Sequence, residues 1–198
     1  MNLIVAAMQS EIKDVVEHIK PDTKVLVTGV GKVNAAMKLA EILKTENIET
    51  IYNFGFAGAS GTYDVGDMVL IDQTNYHDFN LTMFGYALGQ VPGYPAVFES
   101  NLTLVNKIKT LYPKIKTGYL LTGDTFMTDI RPGNYVYDME GAALYQVAHN
   151  YHIPIISIKV ISDVIGMENH IESYTSFEEK VGSQKINEVY QMIFGGKK

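Results

Sequence analysis

The chain contains no cysteine, so disulfides and cysteine–zinc sites are excluded, and cysteine usage leaves the redox compartment open. It has a single arginine, Arg131, and a net charge of -6, which leaves no basic stripe for a nucleic-acid backbone. Long apolar runs are missing as well. The run at residues 1–7 is too short for a signal core or a membrane span, has no basic leader, and continues into an acidic helix. It reads as the buried first strand of a cytoplasmic protein without a membrane partner. The sequons at Asn80 and Asn101 then carry no glycan. Repeats, low-complexity tracts and linkers are absent too. With 198 residues, 46% hydrophobic and 19% charged, the chain reads as one globular domain, residues 1–198.

Short apolar runs alternate with stretches of helical period. Strands are expected at residues 3–7, 24–28, 50–54, 68–72, 117–122, 135–138 and 154–161. A first helix follows from Ile12, Val15, Val16 and Ile19, spaced by three and four. Others are expected at 33–44, where Ala36, Met37, Ala40 and Leu43 face inward, at 102–111, at 140–150, and from about 175 to 194. Residues 75–100 are rich in Gly, Pro, Tyr and Phe and have no period. That stretch is too long for an ordinary connection and reads as a functional or interface loop.

This alternation predicts an α/β fold: a single three-layer domain with a central mixed, largely parallel sheet flanked by helices. Ligands of such sheets bind beyond the carboxyl ends of the strands. Those positions hold Met8 and Glu11, residues 29–31, 55–58 and 123–126, Met139 and Glu140, and Ser162 and Asp163. Carboxylates, glycines and apolar groups thus gather at one end of the sheet, as a small polar ligand with an apolar part requires.

Each feature also has an ordinary reading. Gly29-Val30-Gly31 suggests a dinucleotide turn, but Asn34 stands where the third glycine belongs, and Glu49 precedes a strand where the ribose acid should end one. A tight turn beside a ligand fits better. The five histidines form no metal set, and neither a metal nor a cofactor is expected. His149 and His152 straddle a helix end, a structural position. His77-Asp78 opens the irregular loop and belongs to a site or fixes a turn. Taken singly, Glu11 and Glu140 read as acids near helix N-termini and Asp163 as a cap or turn former. Their shared place beyond strand ends favours a site.

The strings around these residues carry a resemblance. Ala7-Met8-Gln9-Ser10-Glu11, Gly29-Val30-Gly31-Lys32-Val33 and Tyr76-His77-Asp78 come first. Phe84-Gly85-Tyr86 and Gly89-Gln90-Val91-Pro92-Gly93 follow, then Gly123-Asp124-Thr125-Phe126, Met139-Glu140-Gly141-Ala142 and Ile161-Ser162-Asp163. In this order, over nearly the whole chain, they resemble the methylthioadenosine/S-adenosylhomocysteine nucleosidases of the nucleoside phosphorylase and hydrolase superfamily.

The resemblance implies hydrolysis of the N-glycosidic bond of 5′-modified adenine nucleosides, through an oxocarbenium-like transition state flanked by acids. It implies that Asp163 protonates the purine N7, a role that needs a carboxyl protonated near neutral pH. It implies that Glu11 activates water, that Glu140 binds the ribose hydroxyls beside Met139, and that Ser162 orients Asp163. Phe126 would stack on the purine and the Met127 backbone would read its edge. Met8 and Val30 would face the 5′ group. Phe84, Tyr86 and Pro92 would serve the neighbouring subunit's pocket, which implies a homodimer.

The chain departs from the family pattern at several points. Phe56 stands where a small residue usually lies near the water, so its ring either crowds the nucleophile or points elsewhere. Lys159 replaces an arginine near the water and loses the planar fork. A shortened segment is expected to make residues 128–135 cover the purine differently. Four extra residues after Asp163 leave either Tyr174 or Phe177 as the aromatic lid. Phosphorolysis is the nearest alternative, but phosphate clamps rely on arginine forks, and Arg131 lies in Arg131-Pro132-Gly133 rather than in a glycine turn. Hydrolysis of another purine nucleoside differs only in the 5′ pocket. Phe56 and Lys159 also motivate a non-catalytic nucleoside-binding module. The retention of Glu11, Glu140 and Asp163 together argues against it.

Overall fold

The computed structural model describes residues 1–129 and 132–195. Alternation along the first strand, β1 (Asn2–Ala6), sets two faces. Leu3 and Val5 turn to a core shared with α2 (Lys32–Thr45) and α4 (Gly141–Tyr151), through Ala35, Leu39, Ala142 and Tyr145. Ile4 and Ala6 turn to the opposite core, shared with α1 (Gln9–Val16) and α6 (Ser183–Phe194), through Ile12, Val15, Ile186 and Val189. Each helix buries one apolar stripe of helical period. Among the described residues no helix is long and apolar enough to cross a membrane.

The remaining elements are β2 (Thr23–Val27), β3 (Thr50–Ala59), β4 (Met68–Tyr76), β5 (Phe98–Glu99), α3 (Leu102–Leu111), β6 (Lys116–Thr122), β7 (Tyr135–Asp138), β8 (Ile155–Val164) and α5 (His170–Phe177). Asn101 caps α3 by accepting from the Leu104 N–H at 3.1 Å. His152, in the left-handed conformation, ends α4, and the His149 ring lies against Tyr94 and Phe98. Both histidines therefore serve the structure.

The α/β class and flanking helices are as expected, with parallel pairs β1–β2, β1–β3, β3–β8, β4–β6 and β6–β7, but the open sheet layer is not. β8 pairs in parallel with β3 and antiparallel with β4, and β7 pairs antiparallel with β3. The ring β3–β8–β4–β6–β7 thereby closes into a five-stranded barrel, with β1 and β2 extending from β3. Strand length and bending account for the difference. β3 and β8 each run ten residues, well past the expected ends. Register shifts at Ala57/Gly58 and between Ile71 and Gln73 add the twist that lets the sheet turn on itself. Ala57, Ala59, Val69, Ile71, Leu120, Val136 and Ile161, from all five ring strands, form a further buried cluster.

The C-terminal helix also differs from expectation. α5 starts at His170, and a π-helical turn, Glu178–Gly182, joins it to α6. A Cβ on Gly182 would stand 2.3 Å from Cζ of Phe56, so the join bends around that ring.

Candidate active site

The longer strands carry the expected residues into one cavity of about 600 Å³, counted to its open mouth. Glu11 arrives from the first turn of α1, Glu140 from the N-cap of α4, and Asp163 from the end of β8. Met8, Val30, Phe56, Phe126, Met127, Met139 and Ser162 line the same space. Residues 55–58, expected to close a strand, lie within β3, and Ala57 and Gly58 form part of the wall.

Backbone N–H groups hold Glu11. Oε2 accepts from Ala7 and Met8 at 2.8 and 2.9 Å, and Oε1 from Phe56 at 2.8 Å. The exit of β1 and the interior of β3 thus grip one carboxylate. Gly55 makes this possible, because a Cβ there would come within 2.8 Å of Glu11 Oε1 and 3.2 Å of Lys159 Nζ. Burial pushes the Glu11 carboxyl up, against the pull of Lys159 and the three donors.

Asp163 is buried and accepts from the Ser162 hydroxyl at 2.6 Å. Gly58 clears its other oxygen, since a Cβ there would lie 2.9 Å from Oδ2.

Glu140 accepts from the Gly31 N–H at 2.8 Å, at the positive N-terminus of α2. The next amide, Lys32, donates to Asp124 Oδ1 at 2.9 Å. Asp124 in turn donates its own N–H to Asp78, which pairs with the Lys32 ammonium. The glycine turn therefore fastens both Glu140 and the start of the loop that bears Phe126. Asp78 fixes this junction.

Burial, and then the neighbouring Asp138, push the Glu140 carboxyl up to about 7. Asp138 was not singled out in the sequence, yet it lines the cavity. It forms an ion pair with Lys159 at 2.9 Å, the two side chains only 1% and 3% exposed. Lys159 itself lies beneath the lining. Burial pulls its ammonium down, but Asp138, Glu140 and Glu11 outweigh that, and the net shift is upward. The signal for Asp138 was available: it ends a short strand two residues before Glu140.

The Phe56 ring belongs to the core. It meets Phe177 edge-on at 5.5 Å, while its N–H serves Glu11. Of the two lid candidates, Tyr174 lines the cavity and meets Phe126 at 5.6 Å, whereas Phe177 is buried behind Phe56. Burial, with Glu178 beside it, raises the Tyr174 phenol. Phe84, Tyr86 and Pro92 are not brought to this cavity; they sit on the surface of the segment between β4 and β5. Arg131 lies outside the described residues.

A barrel-centred α/β fold with four acids gathered in one cavity at the end of its strands defines a protein of the phosphorylase superfamily, whose family model matches residues 22–193. A 5′-methylthioadenosine/S-adenosylhomocysteine nucleosidase of Geobacillus sp. (strain WCH70) is 36% identical over 187 residues, covering 87% of this chain and 80% of its own. The Neisseria meningitidis enzyme of that name, solved with methylthio-immucillin-A, superposes with a TM-score of 0.89 at 26% identity, over 98% of this chain and 99% of the other. That of Streptococcus pneumoniae, solved with a transition-state inhibitor, gives 0.89 at 27% identity over 98% of both. The chain belongs to the 5′-methylthioadenosine/S-adenosylhomocysteine nucleosidase family, a group of purine nucleoside N-glycosyl hydrolases.

Two expectations follow. A carboxyl raised from 4.5 to about 7 favours the folded state while protonated, so the stability linked to Glu140 is complete below about pH 4.5 and lost as pH rises through 7. Urea midpoints measured from pH 4.5 to 8 should fall more for the wild type than for Glu140→Gln, which keeps the acceptor for Gly31. Phe56→Ser, which empties the space against Phe177 and Gly182, should cost about 3–5 kcal/mol of unfolding free energy by urea titration.

Proposed function

We infer that this site hydrolyses the N-glycosidic bond of 5′-substituted adenosines such as 5′-methylthioadenosine and S-adenosylhomocysteine, releasing adenine. One observation carries the reading: four carboxylates from segments far apart in sequence, those of Glu11, Asp138, Glu140 and Asp163, line a single, otherwise mainly apolar cavity.

Asp163 gives its proton to N7 of the purine, which turns the base into a neutral leaving group. Its hydrogen bond from Ser162 suits that orientation. Glu11 takes a proton from water as the oxygen attacks C1′, and its burial raises its basicity. Glu140 accepts from the ribose 2′ and 3′ hydroxyls, with Met139 against the sugar. The developing oxocarbenium charge lies among these carboxylates, where it is stabilised. Phe126 and Tyr174 cover the purine, the Met127 backbone reads its edge, and Met8 and Val30 receive the 5′ substituent.

The reading extends to a cytoplasmic homodimer in which Phe84, Tyr86 and Pro92 complete the 5′ pocket of the second copy. Support comes from apolar surface left open in one chain: Met83 and Phe84 are 85% and 70% exposed. Val33, at the start of α2, is 75% exposed as well. The N-terminal apolar run fills β1, where Leu3, Ile4 and Val5 are buried.

Adenine release from 5′-methylthioadenosine should proceed at the same rate with and without phosphate. A rate that requires phosphate would reassign the reaction to phosphorolysis. Asp163→Asn should lower kcat by about 10²–10⁴-fold with an unchanged melting curve. Near-normal turnover in that variant would remove Asp163 from the role of proton donor.

A further inference from the structure

We propose that Asp138 is a positioning residue for this reaction: it holds Lys159 as its own counter-ion, so that the lysine acts through Asp138 and Glu140 rather than on the attacking water. The proposal rests on the hydrolase reading above.

The Asp138 carboxylate is fixed from three sides. The Thr122 hydroxyl donates to Oδ1 at 2.6 Å, the Gly141 N–H reaches Oδ1 and Oδ2 at 3.1 and 3.0 Å, and Lys159 Nζ lies 2.9 Å from Oδ2. The threonine is the donor in that bond, because the carboxylate paired with Lys159 offers only acceptors, and the Thr122 oxygen in turn accepts from the Ala142 N–H at 2.9 Å. Thr122 and Asp138 face each other in the β6–β7 register, and a Cβ on Gly141 would collide with Leu120 and Asp138. Strand pairing and the start of α4 therefore determine where this charge sits.

Lys159 has one ammonium and no fork, so it cannot clamp two carboxylates in a plane as arginine does. Its ion pair is with Asp138, while Glu11 is satisfied by three backbone N–H groups and, among the described residues, makes no ion pair. The lysine neutralises Asp138, which stands two residues from Glu140 in the same wall. Without that neutralisation the ribose-binding acid would face an uncompensated negative neighbour. With it, Glu11 and Glu140 remain the carboxylates that surround the forming oxocarbenium. Breaking a buried pair by removing one partner is costly, whereas removing both charges is often close to neutral.

The test is a double-mutant cycle on the full chain with 5′-methylthioadenosine: Lys159→Met, Asp138→Asn and the two together. Wild-type adenine release is measured first and tests the hydrolase reading by itself. We expect Lys159→Met to lower kcat/KM by about 100-fold, and the double variant to recover at least about tenfold of that loss. A double variant no better than Lys159→Met would overturn the proposal, because the lysine would then be needed for itself. If Lys159→Met does not fold, Asp138→Asn carries the test. Its freed ammonium should turn to Glu140 and raise KM several-fold more than it lowers kcat. Unchanged kinetics, or equal change in both constants, would overturn the proposal.

Discussion

Strand β8 closes the barrel, and the chemistry is hung from that closure. By lying parallel to β3 and antiparallel to β4 it brings Lys159, Ser162 and Asp163 to the same end as the first turn of α1 and the N-cap of α4. An open sheet would spread these strand ends over a line. A ring gathers them around a point, with less chain needed to reach it. The register shift at Ala57/Gly58 belongs to the same arrangement, since it sets Gly58 opposite Asp163.

Charge is the second constraint. Glu11, Asp138 and Glu140 are buried beside one lysine, so the ionisation of Glu11 and Glu140 is set by burial and by the charges around them. The protein answers with directed N–H groups rather than further cations. Amides of Ala7, Met8, Phe56, Gly31 and Gly141 all end on carboxylate oxygens. Such dipoles are fixed by the backbone and need no reorganisation when charge develops on a bound sugar.

Much of this was legible in the sequence. The strand–helix alternation gave the class, and the short strings at strand exits marked Glu11, Glu140 and Asp163. What was missed has physical reasons. Period-2 patterns end where a strand passes into a site lined by glycine and alanine, so residues 55–58 read as the close of the strand although they continue β3. Closure of the sheet depends on antiparallel pairs between strands far apart in sequence, which no local period encodes. Asp138 looked like the end of a strand, because its importance lies in a partner 21 positions later. Phe56 was seen as a departure, but the side to which its ring turns depends on Gly182, from another element.

Several of the site's contacts exist because an atom is missing. Glu11 and Asp163 occupy space that a methyl group on Gly55 or Gly58 would fill. A descendant of this chain could therefore fall silent by gaining one carbon while every acid stayed in place. In this chain an intact set of carboxylates is therefore not enough by itself; the two residues opposite them must also stay small.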